Sequence, residues 1–347
     1  MVYAPVLMIT LNRHRHLMCA LESLKKNTWA KYTDVYLAVD YPPNDKYRRG
    51  YEKVCNYLDN SEFPEFHSFT VIKRTENYGA RKNIQDLRDN VAAEYDRWIS
   101  AEDDIEFSET FIEYIDKCLD RYENDERVLA VSGYSYPLNW KLKDGANAFF
   151  QDGTYSAWGT GQWRKKSKEY RKQLEGTFLL DSFDFAMKSG KLMQMTEGRR
   201  YEYIAYALAD INGYLFSGAC DMTYGIYMTL CDKVVIAPAI SQTRNHGFDG
   251  SGLYCSKVLE GGGISNSQNY DYENQPIGMQ GTFELSVDAG KENMEYNHKL
   301  LDDFLYVPDY LIKIDKTLMP IYRVLGKRAY SLIRRTIVMA KRLKKRH

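Results

Sequence analysis

Three consecutive carboxylates, Glu102-Asp103-Asp104, follow the apolar stretch Trp98-Ile99. Neighbouring carboxylates repel one another unless a cation neutralises them or water screens them. A strand through Trp98–Ser100 places the three at its carboxyl end, where open α/β sheets bind ligands. Hard oxygen ligands at such a point suit Mg²⁺ or Mn²⁺ carrying a diphosphate. The plainer alternative is a solvated acidic turn before a helix. A second group is Asn12-Arg13, after the run Val6–Ile9, together with Asp40, after Val35–Val39. Groups at the ends of neighbouring strands converge on one crevice, where an Asp accepts from a base N–H and an Arg contacts phosphate. Each alone is an ordinary loop residue. Asp221 follows Ser217-Gly218-Ala219 and opens the amphipathic segment Met222, Ile226, Met228, Leu230. That position suits a helix N-cap and equally a general base. His14 and His16 read as surface residues at a helix start, whereas His246, in a glycine-rich block, reads either as a residue that approaches the diphosphate or as an ordinary loop histidine.

The elements that must position these residues alternate strand and helix, the pattern of an α/β layer with a largely parallel sheet. Val6–Ile9, Val35–Val39, Phe69–Ile72, Val128–Val131 and Val234–Ala237 read as strands. Leu17, Ala20, Leu21 and Leu24 repeat at helical spacing, as does Arg81–Tyr95. Ser108 is the expected cap of a helix with apolar face Ile112, Ile115, Leu119 and Tyr122. The region 200–230 reads as helical, and 247–282, with eight glycines, as a long loop. From Ile321 the tail is a helix with Arg323, Lys327, Arg334, Lys341 and Lys345 on one side. Leu325, Ala329, Leu332, Thr336, Ala340 and Leu343 take the other.

At 347 residues with 44% hydrophobic and 27% charged residues, the chain buries a sizeable core and is not disordered. The 29 tyrosines supply amphipathic rings of the kind that line grooves for polar ligands. Formal charge is zero, against wholesale nucleic-acid binding, yet residues 317–347 hold ten Lys/Arg and no Asp/Glu, leaving −10 on the rest. Each such cation adds about 1 kcal/mol at an anionic leaflet, so the tail reads as attached to a membrane surface. A solvated helix packed by its apolar face is the alternative. Six cysteines without a CxxC pair point away from a zinc site or disulfides, and towards a reducing compartment. The longest apolar run, Tyr203–Ala209, is seven residues, far short of a membrane span. The sequence shows no signal peptide, so a cytoplasmic protein, peripheral on the inner face of a bacterial membrane, is expected. GxGxxG, GxxxxGK[ST], HExxH and GxSxG are all missing, which removes dinucleotide, P-loop, zincin and serine-hydrolase readings.

Taken together, Pro5-Val-Leu-Met-Ile-Thr10-Leu-Asn12-Arg13, Asp40 and Ala101-Glu102-Asp103-Asp104-Ile-Glu-Phe-Ser-Glu-Thr-Phe111 resemble nucleotide-diphospho-sugar glycosyltransferases of the GT-A fold. The likeness is nearest to the β-1,2-N-acetylglucosaminyltransferases of N-glycan processing and to related bacterial surface-polysaccharide transferases. Tyr155-Ser-Ala-Trp158-Gly159-Thr-Gly161-Gln-Trp163-Arg164 is similar to a Trp-rich family segment, with Gly161 where a Trp is usual. Asp221, Pro238 and Ser241–Gly252 match the block that carries the catalytic base. The likeness spans about residues 5–255.

This resemblance implies a Rossmann-like mixed α/β sheet flanked by helices, with the basic amphipathic helix appended. It implies a donor-binding half over 1–135, an acceptor-binding catalytic half over 136–282 and a helical extension over 283–347. Thr10, Asn12, Arg13, Asp40, Arg81, Glu102 and Asp103 would bind a UDP-sugar, Asp104 would hold Mn²⁺ or Mg²⁺, and Asp221 would be the base of an inverting transfer. Trp158, Gly159, His246 and Tyr254 would line the donor and acceptor pocket, the acceptor being a glycan or lipid-linked glycan. Two departures stand out: Cys220 replaces the aromatic that often precedes the base, and Leu253-Tyr254 replace a common His. They keep open a non-catalytic scaffold on the same fold. A nucleotidyltransferase would need a glycine-rich loop after the first strand, and Thr10–His16 has no glycine.

Overall fold

The computed structural model describes residues 2–175, 188, 220–252, 270–278, 281–305 and 309–344. Chain order runs β1 (Val6–Thr10), α1 (His14–Lys25), β2 (Asp34–Val39), α2 (Asp45–Asp59), β3 (Ser68–Lys73), α3 (Gly79–Val91), β4 (Arg97–Glu102), β5 (Ile105–Phe107) and α4 (Phe111–Arg121). It continues through β6 (Val128–Ser132), β7 (Ala148–Asp152), β8 (Thr160–Trp163), α5 (Arg164–Glu175), α6 (Cys220–Leu230), β9 (Val234–Pro238) and β10 (Thr243–Asn245). The last elements are β11 (Val287–Asp288), α7 (Lys291–Phe304) and α8 (Asp309–Lys344).

Among the described residues, nine strands form one mixed sheet in the order β11-β7-β9-β6-β8-β4-β1-β2-β3. The half β3-β2-β1-β4 is parallel, as expected from its short apolar runs separated by helices. The other half is not. β8 lies antiparallel between β4 and β6, and β7 antiparallel to β9. A separate antiparallel pair joins β5 to β10, across more than 130 residues of chain.

Helices cover both faces of the parallel half. Val6 and Met8 of β1 pack among α1, α2 and α4 through Leu17, Leu21, Val54, Ile112 and Ile115. Leu7 points the other way, to Leu87 and Val91 of α3 and to Trp98. The period-2 alternation of one strand thus feeds two cores. The strand order turns at β1, with β2 on one side and β4 on the other, and the crevice at their carboxyl ends is the topological switch point.

Three local expectations are corrected. Ser108 does not cap α4: Thr110 holds the N-cap position, and the Ser108 hydroxyl donates to Gln242 Oε1 at 2.5 Å. α4 is also covered on nearly every side, Glu113 and Asp116 included: β8 and β6 lie against it, and Phe283 packs on Tyr114. Part of the region read as a loop is ordered: residues 247–249 and 272–274 form single 3₁₀ turns, with Tyr272 and Gln275 buried.

The tail is helical but not as one rod. α8 is interrupted at Gly326 (φ 74°, ψ −177°), a conformation that side chains with a Cβ avoid. The helical-wheel prediction therefore does not carry through. Arg334, on the basic side, is 9% exposed, whereas Leu325 and Leu332, on the apolar side, are 65% and 69% exposed. Tyr322 and Tyr330 are the buried anchors instead.

Candidate active site

The acidic triplet sits where the strands end. Glu102 closes β4, opposite Ile9 of β1, and Asp103-Asp104 form the turn into β5. Thr10, the last residue of β1, donates its hydroxyl to Asp103 Oδ2 at 2.7 Å. Arg13, at the N-cap of α1, donates Nη1 to Asp104 Oδ2 at 2.7 Å and Nη2 to Asp103 Oδ1. One guanidinium thus spans two adjacent carboxylates, a geometry its planar fork allows. Burial disfavours the Arg13 cation, but the charges of Asp103 and Asp104 outweigh it and raise its pKa.

The acids respond to the same crowding. Glu102 is pushed well above the usual carboxylate range by burial, then by the charges of Asp104, Asp221 and Asp103. Asp103 is raised by burial and Asp104, against the opposing pull of Arg13 and Thr10. Asp221 lies in the first turn of α6, and its effect on Glu102 puts its charge within electrostatic range of the triplet. Asp104 Oδ1 is buried with no hydrogen-bond partner among the described residues. A buried, unpaired carboxylate oxygen is costly. The donor set of hard oxygens, carrying more negative charge than Arg13 offsets, fits a small divalent cation such as Mn²⁺ or Mg²⁺ on Asp104.

The β5–β10 pair then lays a second segment over Asp104. The His246 amide donates to the Asp104 carbonyl at 2.8 Å. Gly247 lies so close that a Cβ there would meet Asp104 Oδ2 at 2.3 Å. Glu106, one strand alternation beyond Asp104, accepts from Arg244 Nη2 at 2.7 Å and lies 2.7 Å from His246 Nε2. The His246 contact, seconded by Arg244, holds the Glu106 carboxyl down to about 2. His16 is drawn in as well, its Nε2 being 3.3 Å from Asp249 Oδ2, so it is not the plain surface residue expected. Arg15, His16, Cys19, Asp104, Ile105 and His246 line a cavity of about 240 Å³ beside the triplet. Cys19, Glu106 and His246 also bring ligand atoms within 4.8 Å of one another, a softer donor set that no sequence spacing announces.

The other expected residues take different places. Asp40 is buried and its carboxylate is filled: Oδ1 accepts from the Tyr41 and Tyr78 amides, and Oδ2 from the Gly79 amide and Asn77 Nδ2. It therefore pins the loop that starts α3 at the rim of the crevice. Arg81 is exposed on the first turn of α3 at that rim. Arg88, further along α3 and not singled out by its sequence context, donates to Ser100 Oγ of β4 at 2.9 Å. Asn12 lies under α2, where a Cβ on Gly50 would meet its carbonyl oxygen at 2.4 Å.

Trp158 packs edge-on against Tyr134, Tyr272 and Phe248, with centroids 4.6, 5.5 and 5.8 Å away. Gly159 has φ 78°, and a Cβ there would strike the Phe111 ring at 2.9 Å. At Gly161, a Cβ would meet Ile115 Cγ2 at 2.5 Å, so this fold has no room for the Trp of the resembled pattern. Tyr254 lies outside the described residues, as do 200–219 of the expected helical stretch and 253–269 of the expected loop.

No protein-family model and no curated protein matches the chain. Solved structures do. The mannosyltransferase PcManGT from Pyrobaculum calidifontis, in complex with GDP-Man and Mn²⁺, is 14% identical over 50% of this chain and 47% of its own, with a TM-score of 0.35. S. aureus TarS 1-349, in complex with UDP-GlcNAc, is 15% identical over 42% of this chain and 36% of its own, with a TM-score of 0.28. Mouse xyloside xylosyltransferase 1, in its apo form, is 10% identical over 67% of this chain and 84% of its own, with a TM-score of 0.34. The chain spans less than half the length of the TarS and PcManGT chains.

Proposed function

We propose that the protein is an inverting, metal-dependent glycosyltransferase of the GT-A type. It would move a sugar from a nucleotide-diphosphate donor, UDP-linked, to a glycan or lipid-linked acceptor in bacterial surface-polysaccharide assembly. One observation carries this reading. At the switch point of the sheet, Thr10 and Arg13 converge on Asp103 and Asp104 beside Glu102, and Asp104 keeps one buried oxygen without a partner among the described residues. Asp104 Oδ1 is the atom that would hold Mn²⁺ or Mg²⁺, which when bound supplies positive charge to the departing diphosphate.

The chain's own residues do the rest. Arg13 brings a fixed cation to the phosphate side, with Thr10 and Asp103 holding it in place. Asn12 and Arg81 border the donor, and Asp40 fixes the rim loop against which the nucleotide lies. Glu102 and Asp103 stand beside the metal position and border the donor. Asp221 takes the proton of the attacking acceptor hydroxyl. Trp158, Gly159 and His246 shape the wall of the pocket, and Tyr254 belongs to the same block of sequence.

The test is calorimetric titration of the full chain with a panel of nucleotide sugars, with and without Mn²⁺. One donor should bind tightly only with metal, and Asp104→Ala should abolish both binding and turnover while melting at the wild-type temperature. Metal-independent binding, or full turnover by Asp104→Ala or in excess chelator, would overturn the reading. A specific observation favours a second one: Arg13 already bridges Asp103 and Asp104, so the cluster has an internal counter-cation. A catalytically weak scaffold on this fold would bind donor but show no slow donor hydrolysis.

A further inference from the structure

The tail helix exposes a stripe of side chains that no contact among the described residues covers. In α8, Arg328, Leu332, Arg335 and Met339 follow one another at intervals of four, three and four residues, which aligns them on one face. All four are exposed, Leu332 at 69% and Met339 at 56%. Just before the break at Gly326, Arg323, Val324 and Leu325 are exposed as well, the two apolar ones at 80% and 65%. Tyr330 and Arg334, on the opposite face of the same helix, are buried, so the helix is seated and its outer stripe is what it offers. Exposed large apolar side chains in a row mark an interaction surface rather than a solvated face.

Charge decides the partner. Residues 317–347 carry ten Lys/Arg and no Asp/Glu, so two copies of this stripe would repel one another. An apolar row flanked by arginines suits the headgroup boundary of an anionic bilayer, where Leu and Met enter the acyl region and Arg stems reach back to phosphate. The helix lies on such a surface rather than crossing it, since no helix among the described residues is long and apolar enough to span a membrane. We propose that Val324, Leu325, Leu332 and Met339, bordered by Arg323, Arg328 and Arg335, dock this protein onto an anionic lipid surface.

The experiment is co-sedimentation of the full chain with vesicles of phosphatidylcholine alone, or of phosphatidylcholine with phosphatidylglycerol. The wild type should partition to the anionic vesicles, less at high salt, and not to the neutral ones. Leu332→Asp with Met339→Asp should lower that partition by about tenfold or more. Arg328→Gln with Arg335→Gln should each remove about fivefold. Thermal melts establish that the variants fold, and Leu332→Ser with Met339→Ser replaces the Asp pair if it does not. Equal partition of variants and wild type, or equal binding to neutral vesicles, would overturn the proposal. So would light scattering showing that the Leu332/Met339 variant splits an oligomer, which would assign the stripe to contacts between copies.

Discussion

The two oxygens of Asp104 have different fates, and that asymmetry shapes what substitutions around it should do. Oδ2 is fixed by Arg13, while Oδ1 meets no donor among the described residues. Gly247 presses on the fixed oxygen, so Gly247→Ala must turn the carboxylate off Arg13 rather than merely crowd it. We expect a loss on the order of 10² in kcat/KM with the melting temperature nearly unchanged, because about an ångström of misplacement is felt far more by chemistry than by folding. Steady-state kinetics beside a thermal melt checks both halves. Asp221 gives a second contrast. As a general base, Asp221→Asn should cost on the order of 10²–10⁴ in kcat with donor affinity intact. The structure puts Asp221 inside the first turn of α6 rather than at its N-cap; as a first-turn carboxylate that only complements the helix dipole, its loss would cost no more than a few-fold. A product that retains the donor's anomeric configuration would also remove the base assignment.

α4 stores a titratable group that the site does not use. Asp116 is buried beneath the start of β1, accepts from the Ala4 amide at 3.1 Å through Oδ1, and has no partner for Oδ2 among the described residues. Burial pushes its carboxyl up from 3.8 to about 7, with Ala4 and Arg97 pulling the other way. A raised folded-state pKa means the group's stabilisation is complete below the unfolded value and fades as pH rises through the folded one. Asp116→Asn keeps the acceptor for Ala4 and cannot ionise. Its melting temperature should exceed that of the wild type more at about pH 8.5 than at about pH 5. A gain independent of pH would show that folding leaves the Asp116 carboxyl unshifted.

At the scale of the whole molecule, the tail is part of the body and not an appendage. Tyr322 and Tyr330 are 1% and 0% exposed, and Arg334 is 9% exposed. Deleting residues 321–347 should therefore lower the melting temperature by roughly 5 °C or more, beyond any effect on vesicle binding. Substitutions confined to Leu332 and Met339 should not, since those side chains are exposed. Scanning calorimetry of the truncated chain beside the two point variants separates the anchor from the outer stripe.

Local repetition made the parallel half legible. Runs such as Val6–Ile9 and Val35–Val39, each followed by helical spacing, dictate strands covered on both faces, and the position of Glu102–Asp104 after Trp98–Ser100 already put the acids at a strand end. The chain's charge segregation was equally plain, being a count. Pairing over long separations was not. Nothing near Glu106 announces that Arg244 and His246 will reach it, because the β5–β10 ladder that joins them depends on how the intervening chain packs. Asp40 reads as a ligand until four donors from its own neighbourhood and the α3 loop fill its oxygens. Which side of the tail meets the protein was likewise undetermined: one glycine at φ 74° breaks the helical phase, and burial of two tyrosines outweighs the segregation of basic and apolar positions.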